Sequence, residues 1–456
     1  MAADATRPVR TFDPASFERF RFLARTMDAR GRVSLRYALD DGIEFLEEFD
    51  LPIAGTLGDR ERARVDPLLA LLHWVAGVSY FKTALPPNLS LETGVPSAAV
   101  AELLDALYSE GLAELAYTNG LTALPRPSFP QGRSAPVRAD EPWTPRRVLV
   151  PVGGGKDSAV AVEIVRRSGV EAALFSIGDA PPIARTVAVA GLEHLLAQRR
   201  LDPGLAELNR TGAINGHVPI TAIVSCVALL VAALHGFDTI AMANERSASS
   251  GNLDWDGTEV NHQFSKGLRA ERLLQAALGE LDCGVQLFSV LRPASELGIA
   301  RAFARMEAYH AAFTSCNAIF RIDPALRSAS WCCDCPKCRF VFLALAPFSS
   351  PAHLRELFGS DMLDDDDQFA GFALLTATGG HKPFECVGEE EESLAAIRLL
   401  AADPRWSEHR VVRRLASEVL GRLPASAGDP ERVLALSDEH AVPEALLADV
   451  RAVLGA

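Results

Sequence analysis

The sequence predicts an α/β protein, with a doubly wound parallel sheet between an N-terminal α+β region and a mainly helical C-terminal region. Three patterns predict this class. From Val148 onward, short apolar runs alternate with helical periodicity, which is typical of a parallel sheet covered by helices on both faces. Residues 17–51 instead show the two-residue alternation of β-strands, and the chain beyond residue 349 is mainly helical in its spacing. We therefore expect three domains, at residues 1–136, 137–348 and 349–456.

The first domain is predicted to begin with strands and to continue with helices. Clean alternation over residues 32–39, followed by the turn signal Asp40-Asp41-Gly42 and a further run at residues 43–49, predicts a hairpin or a small meander. Helical spacing then predicts helices at residues 66–82 and 95–115. Residues 125–145 are rich in proline, arginine and serine, so we expect a linker there.

The second domain carries the strand–helix alternation. Predicted strands cover residues 148–152, 172–177, 239–243 and 285–290, and predicted helices cover residues 217–234 and 295–306. In an open parallel sheet, ligands bind beyond the carboxyl ends of the strands. Three polar segments stand at such strand ends, so we expect the active site among residues 153–158, 176–179 and 244–247.

A glycine-rich turn joins the first of these strands to a helix, in the run Gly153-Gly154-Gly155-Lys156-Asp157-Ser158. Glycines let the backbone approach a ligand closely, and the amide groups that open a helix bind anions. The run is not a Walker A loop, because Asp157 follows the lysine, and Ser158 stands where a dinucleotide fingerprint has its last glycine. A phosphate cradle is therefore predicted. A turn without a ligand is the alternative, but it leaves the lysine, aspartate and serine unexplained.

Five of the eight cysteines fall between Cys316 and Cys338, a clustering that predicts metal binding rather than disulfides in a cytosolic chain. Cys332, Cys335 and Cys338 form two overlapping C-x-x-C units, whose spacing lets the thiolates bind one tetrahedral ion. Cys316 is the best candidate for the fourth ligand, and Cys333 is a spare thiol that could exchange with Cys332. Structural zinc is the preferred interpretation, with a redox thiol pair and an iron–sulfur cluster as the alternatives.

Two further polar stretches, residues 207–219 and 247–266, contain more hydrogen-bonding side chains than helix caps and ordinary loops explain. The basic side chains in and beside them, Arg210, Arg246 and Lys266, are expected to hold a polar, possibly anionic substrate. The other predicted substrate contacts are Asn215, Asn244, Ser247 and Asn261.

Residues 378–388 combine glycines with reactive side chains, so we expect a loop that returns to the active site. A plain surface loop is the alternative. Candidates for proton transfer, by residue type and expected location, are His217, Glu245, His381 and Cys386. A cysteine base would need a lowered pKa.

The composition, 48% hydrophobic and 23% charged, is that of an ordinary soluble protein. A net charge of −14 argues against a nucleic-acid partner, because binding to the phosphate backbone requires a basic face. No apolar run has the length of a membrane span, and residues 1–10 lack the apolar core of a signal peptide. We therefore expect a cytoplasmic protein without a membrane partner.

The glycine-rich turn resembles the pyrophosphate loop, S-G-G-x-D-S, of the ATP pyrophosphatase superfamily, with Gly153 in place of the usual first serine. This resemblance implies an enzyme that cleaves ATP between the α and β phosphates and transfers AMP to a substrate oxygen. Residues 153–158, with Lys156, would hold the β and γ phosphates, Asp157 would help bind Mg²⁺, and Ser176 to Gly178 would lie near the adenosine. The cysteine run resembles the zinc knot of the deazaguanine-synthesising enzymes of this superfamily.

Over nearly its whole length the chain resembles the MurL family of ATP-dependent epimerases. The resembling stretches are the N-terminal hairpin and residues 151–158, 212–221, 243–251, 332–347 and 381–388. The family implies conversion of the terminal L-glutamate of UDP-MurNAc-L-Ala-L-Glu to D-glutamate through an acyl-adenylate, with release of AMP and diphosphate, in peptidoglycan precursor synthesis. Two alternatives are an amide or nitrile synthase of the same superfamily acting on another carboxylate, and a nucleotide-binding regulator without turnover.

Overall fold

A computed structural model describes residues 11–53, 55–134, 143–255, 257–320, 327–328, 330–377 and 380–455. The predicted domain boundary at residue 136, and residues 378–379 of the predicted loop, lie outside the described residues. Strands are β1 (Arg19–Met27), β2 (Arg32–Leu39), β3 (Ile43–Asp50), β4 (Asn88–Leu91), β5 (Arg147–Pro151), β6 (Glu171–Ile177), β7 (His194–Arg200), β8 (Thr239–Met242), β9 (Leu253–Trp255), β10 (Thr258–Val260) and β11 (Gln286–Ser289).

Helices surround these strands, and the last third of the chain is mainly helical, as predicted. They are α1 (Asp59–Ala76), α2 (Val78–Phe81), α3 (Ala98–Tyr108), α4 (Ala113–Thr118), α5 (Lys156–Arg167), α6 (Pro181–Ala190), α7 (Gly204–Thr211), α8 (Ile220–His235), α9 (Leu268–Leu281), α10 (Glu296–Phe303), α11 (Glu307–His310), α12 (Pro336–Leu345), α13 (Pro351–Phe358), α14 (Phe369–Leu374), α15 (Glu390–Ala402), α16 (Arg410–Arg414), α17 (Pro430–Leu434) and α18 (Glu444–Leu454). None of the described helices combines the length and apolarity needed to cross a membrane.

Within the described residues, nine strands form one mixed sheet in the order β11-β8-β5-β6-β7-β3-β2-β1-β4. The five strands from β11 to β7 are parallel, and β3, β2 and β1 form the predicted antiparallel meander. After β5 the chain adds strands on one side, and β8 then starts the other side. The strand order therefore reverses between β5 and β8, which is where open parallel sheets bind their ligands.

Apolar side chains on alternate positions of the parallel strands enter two separate cores. Leu149 belongs to the core with α1, α3, α8 and α9, whereas Val148 and Val150 belong to the core with α5, α10, α12 and α15. Helices therefore cover both faces of the sheet, which is why the central strands are almost continuously apolar in sequence.

Two predicted helices of the first domain differ from the observed ones. The helix predicted at residues 66–82 starts earlier, at Asp59, and breaks at Gly77. A Cβ atom at Gly77 would lie 2.6 Å from a ring carbon of Phe22, so close packing onto β1 requires glycine at this break. The helix predicted at residues 95–115 ends at Tyr108 and resumes as α4 after a short 3₁₀ turn.

The strand β7 is absent from the sequence prediction, and it joins the parallel strands to the meander by pairing antiparallel with β3. Its second half is polar, which hides the strand pattern. In the structure these polar residues have acidic partners on β3: the Nε atom of Arg199 lies 2.6 Å from Glu47, and a terminal nitrogen of Arg200 lies 2.6 Å from Asp50.

Candidate active site

The glycine-rich turn lies at the carboxyl edge of the sheet, between β5 and α5, as predicted. Gly154 has a φ of +79°, and a Cβ atom there would lie 2.6 Å from the carbonyl carbon of Pro182. Its carbonyl oxygen accepts a hydrogen bond of 3.0 Å from the amide of Thr314. The loop is thus fixed against the start of α6 and against the segment before Cys316, with the first turn of α5 opening at Lys156. Amide groups at such a helix start bind anions.

Lys156 is fully buried and has two carboxylate partners. Its ammonium group contacts Asp157 and Glu296, and Glu296 is also 3.6 Å from the ammonium group of Lys337. The two lysines outweigh the effect of burial and hold the pKa of Glu296 below its usual value. The amide of Glu296 donates to Glu392, whose pKa is raised to about 8 by burial and by the charge of Glu296. Buried charges of both signs therefore meet directly behind the glycine-rich turn.

Lys337 connects this network to the segment of residues 380–388. Its ammonium group donates to the carbonyl oxygen of Cys386, and its amide donates to Glu385 at 3.1 Å. The same segment is bound from the other side, because Asn252 donates to the carbonyl oxygen of Pro383 at 2.9 Å. The segment therefore lies against the network around the glycine-rich turn.

The thiol of Cys386 lies among cations. The ammonium group of Lys266 is 3.4 Å from its sulfur, and His262 makes a second side-chain hydrogen bond to it. Burial alone would raise the pKa of Cys386, but the charge of Lys266 and the bond from His262 lower it to about 6. The structure thus provides the lowered pKa that a cysteine base needs.

His262 and His217 lie side by side, and their pKa values are shifted in opposite directions. Their ring centres are 4.2 Å apart, and the Nδ1 atom of His262 is 2.5 Å from a carboxylate oxygen of Glu114. Burial would lower the pKa of His262, yet its bonds to Cys386 and Glu114 raise it to about 9. Burial and the neighbouring positive charges lower the pKa of His217 to about 3. Ligand atoms of Glu114, His217 and His262 lie within 4.8 Å of one another, but His262 is already engaged by Glu114 and Cys386, so we assign this group to hydrogen bonding rather than to a metal.

Several predicted residues follow β8 at the same edge. Glu245 is buried, and burial together with the charge of Glu296 raises its pKa. The amide of Asn244 donates to Ser289 at 2.6 Å, and Ser247 is also buried. Asn261 holds the adjoining turn through a 3.0 Å bond to the carbonyl oxygen of Ala248.

Other predicted residues have partners away from Cys386. Arg210 is largely exposed and pairs with Glu207, and Asn215 accepts a hydrogen bond from Lys82. Arg246 donates at 2.9 Å to two carbonyl oxygens beside α17. His381 is exposed, with its ring centre 5.1 Å from that of Phe384.

At the end of β6, the hydroxyl of Ser176 donates to the carbonyl oxygen of Gly178 at 2.8 Å, so this strand end is a compact turn.

The predicted cysteine cluster assembles at the start of α12. The sulfur atoms of Cys316, Cys332, Cys335 and Cys338 lie within 4.8 Å of one another. Cys333 has a φ of +55°, and its thiol donates instead to the carbonyl oxygen of Phe358 at 3.2 Å. Four thiols at this separation fit a tetrahedral ion such as zinc, with Cys333 outside the set.

Sequence reasoning did not select Glu114, His262, Glu296, Lys337 or Glu392 as site residues. Of these, His262 stood in a polar stretch and Lys337 in the cysteine run, which were weak signals. Glu114, Glu296 and Glu392 belong to helices and follow no motif, so that only the folded chain brings them to the site.

Comparisons with known proteins agree over most of the chain. Two family models match, the MurL N-terminal domain over residues 11–290 and the MurL C-terminal domain over residues 312–428. A relative from Xanthomonas oryzae pv. oryzae is 41% identical over 97% of this chain and 98% of its own length. Relatives from Salinispora tropica and a Micromonospora species are 45% and 46% identical over 90% and 88% of this chain, and over 90% of their own lengths. All three are named UDP-N-acetyl-alpha-D-muramoyl-L-alanyl-L-glutamate epimerase.

Proposed function

Because this chain belongs to the MurL family, we propose that it epimerises the terminal L-glutamate of UDP-N-acetylmuramoyl-L-alanyl-L-glutamate to D-glutamate, as an ATP-dependent enzyme of peptidoglycan precursor synthesis. Its relatives carry that activity in their names and align with it over most of both chains. The reaction inverts one carbon centre and leaves the rest of the substrate unchanged. To invert this centre, the site must make the proton on the α-carbon acidic enough to be removed.

The substrate itself explains a need for activation. The glutamate nitrogen is part of a peptide bond, so a Schiff base cannot form on it. Removing the α-proton next to a free carboxylate would create two adjacent negative charges. Adenylation of the α-carboxylate removes the first charge, after which a positioned base can take the proton. Diphosphate leaves when the adenylate forms, and hydrolysis of the adenylate then releases the D-glutamate product and AMP.

The proposed ATP requirement rests on the buried Lys156 and its contact with Asp157. Both residues lie at the start of α5, at the point where the strand order of the sheet reverses. The amides of residues 153–158 and the ammonium group of Lys156 would hold the β and γ phosphates. Ser176 and Gly178, at the end of the neighbouring strand, would lie near the adenosine. This arrangement supports a pyrophosphate-loop fold for the parallel half of the sheet.

Two metal ions belong to the proposal. Asp157 keeps a partly exposed carboxylate at the loop, and this hard oxygen ligand suits Mg²⁺, which neutralises phosphate charge when it is bound. The four clustered thiols of Cys316, Cys332, Cys335 and Cys338 suit Zn²⁺, which would stabilise the start of α12.

Lys266 is the predicted substrate contact nearest to Cys386, and it would attract the carboxylates of the glutamate. Asn244, Ser247 and Asn261 line the same edge and remain proposed contacts. Arg210, Asn215 and Arg246 are proposed contacts for more distant parts of the substrate, as the structure does not bring them to Cys386. Among the proton-transfer candidates His217, Glu245, His381 and Cys386, only Cys386 has a pKa lowered toward neutrality by cations.

One incubation in deuterium oxide tests this function. The protein, MgATP and the muramoyl dipeptide are combined, and the glutamate is released by acid hydrolysis and analysed for chirality and mass. We expect D-glutamate one mass unit heavier, formed only with ATP and together with AMP. Added ammonia should not change the product. AMP without D-glutamate, or an amide formed from ammonia, would identify a different adenylating enzyme, and no AMP would leave a nucleotide binder.

A further inference from the structure

Three segments that are remote in sequence converge on one sulfur atom. Glu114 belongs to α4, His262 follows β10, and Cys386 belongs to the segment of residues 380–388. The carboxylate of Glu114 is 2.5 Å from Nδ1 of His262, and the imidazole of His262 in turn interacts with the side chain of Cys386. A carboxylate, an imidazole and a thiol in this order form the arrangement by which enzymes orient a base and activate a cysteine.

We propose that Cys386 is the thiolate that takes the α-proton of the activated glutamate, and that Glu114 and His262 are positioning residues that keep this sulfur in place and charged. The assignment rests on the proposed epimerase function. It adds Glu114 and His262 to the residues on which the reaction depends.

The step balances within the site. The C–H bond at the α-carbon breaks as an S–H bond forms on Cys386, and the electron pair of the C–H bond moves into the enolate of the activated acyl group. A water molecule protonates the opposite face and gives the D-configured acyl group, and the hydroxide that remains takes the proton from the Cys386 thiol and restores the thiolate. The ammonium group of Lys266, 3.4 Å from the sulfur, is positioned to stabilise the enolate oxygen as charge develops.

The other candidates fit this step less well. His217 has a pKa near 3, so it is a weak base at neutral pH. Glu245 is 2% exposed, and the ring of His381 packs beside that of Phe384. Of the four candidates, Cys386 is the one that is partly exposed and also has two cationic partners, Lys266 and His262.

The test measures the thiol directly and needs neither ATP nor substrate. The full-length protein is treated with iodoacetamide between pH 5 and pH 9, and the modification of Cys386 is quantified by mass spectrometry of its peptide. We expect a midpoint near pH 6 in the wild type. The cations that face Cys386 and the acidic groups behind them are Lys266, His262, Lys337, Glu114, Glu245 and Glu385.

Two variants distinguish the effect of neighbouring charge on the alkylation midpoint of Cys386 from the effect of packing. His262→Gln keeps an amide able to hydrogen bond but cannot become a cation, so the midpoint should rise by about one unit or more. Glu114→Gln should raise it by less, because the imidazole remains. His440→Asn is the matched control, since this histidine lies between α17 and α18 and its ring accepts a hydrogen bond from the backbone amide of Val442. Cys283, a thiol outside the metal cluster, serves as the internal reference in every sample.

Activity measurements complete the test. Cys386→Ser and His262→Gln should lower kcat for epimerisation by about 10²-fold or more while the substrate-dependent exchange of diphosphate into ATP continues. A midpoint for Cys386 that His262→Gln leaves unchanged would overturn the assignment, as would α-deuterium exchange at the wild-type rate in Cys386→Ser. Absence of D-glutamate in the wild type would instead overturn the proposed function, whatever the alkylation profile.

Discussion

The buried Lys156 and the half-buried Lys266 show how single residues supply the candidate site with positive charge. Lys156 is neutralised by Asp157 and Glu296, and Lys266 by the thiolate of Cys386 and the nearby Glu245. A buried charge without a partner is costly, so these cations persist only because the protein supplies negative groups. An incoming phosphate or carboxylate can replace those partners. In the proposed function, the groups that neutralise these lysines are therefore the ones that the substrates would displace.

A substitution at Gly154 tests whether the glycine-rich turn binds phosphate. Gly154→Ala would place a Cβ atom 2.6 Å from the backbone of Pro182 at a positive φ, so the loop must move. We expect ATP turnover to fall by about 10²-fold, because the amides that face the phosphates shift with it. Gly169→Ala is the matched control, with a φ of +71° but no atom within 4 Å. Equal turnover in the two variants, measured as AMP release, would contradict a phosphate role for the loop.

Glu392 should make stability depend on pH. Its pKa rises from 4.5 to about 8 in the folded protein, so between these values the native state holds a proton that the unfolded chain releases. The free energy of unfolding should therefore fall as the pH rises through this window, by up to ~1.4 kcal/mol per pH unit. Glu392→Gln should flatten the slope, as judged by urea unfolding at several pH values. Glu418→Gln, at an exposed pair with Arg414, should retain it; identical slopes in all three proteins would count against the burial effect.

Individual residues also show which parts of the candidate site could be predicted from the sequence and which could not. Lys156 and Asp157 could be predicted because a local motif fixes their position between a strand and a helix. Cys386 could be selected only by its type, because its pKa depends on Lys266 and His262, which lie more than a hundred positions earlier. Glu114 had no signal at all, since its role arises from a contact across 148 positions.

At the scale of elements, the cysteine cluster fixes the start of α12, the helix start that also carries Lys337. Cys335 caps this helix by accepting a bond from the amide of Cys338, and Lys337 stands between them. The local spacing of the cysteines predicted Cys332, Cys335 and Cys338 as ligands, and Cys316 was added as the best candidate for the fourth. It could not predict that the same turn would bind Glu296 and the carbonyl oxygen of Cys386.

Cys335→Ser should therefore lose metal and stability together. A closed zinc site contributes folding free energy directly, so we expect less than one bound ion per chain and a clearly lower midpoint of thermal unfolding. Cys333→Ser is the natural control, because its thiol bonds to Phe358 instead. Metal analysis and thermal unfolding of both variants distinguish the two. A folded Cys335→Ser protein with full metal content would refute the assignment.

Strand β7 shows why the sequence analysis missed a strand of the sheet. The sequence analysis recovered β5, β6, β8 and β11 because these strands are apolar and buried on both faces. The second half of β7 is charged, and it is stable as a strand only through pairs such as Arg199 with the buried Glu47 of β3. Those pairs come from a different part of the chain, so no local pattern reveals them. They also make one continuous sheet of the meander and the parallel strands.

The whole molecule brings its three predicted regions together at one edge of the sheet. α4 supplies Glu114, the parallel half supplies Lys156 and His262, and the C-terminal region supplies Cys386 and Glu392. The chain of contacts from Lys156 through Glu296 and Lys337 to Cys386 joins the glycine-rich turn to the proposed proton-transfer site. In the proposed function, activation and proton transfer act on adjacent atoms of one substrate, and this connection would hold the two sites at a fixed distance.

Glu296 is the centre of that connection and provides the last prediction. In the free protein its carboxylate neutralises Lys156, so bound phosphate must compete with it. Glu296→Gln should lower the free energy of unfolding by about 3–5 kcal/mol, because two buried lysines lose a carboxylate. It should also tighten binding of a non-hydrolysable MgATP analogue, which supplies the missing negative charge, so that the analogue raises the unfolding temperature more than in the wild type. Glu163→Gln, on the same helix as Lys156 but bonded to Tyr309, should leave the analogue's effect unchanged. If the analogue stabilises Glu296→Gln no more than the wild type, phosphate does not replace Glu296 as the partner of Lys156.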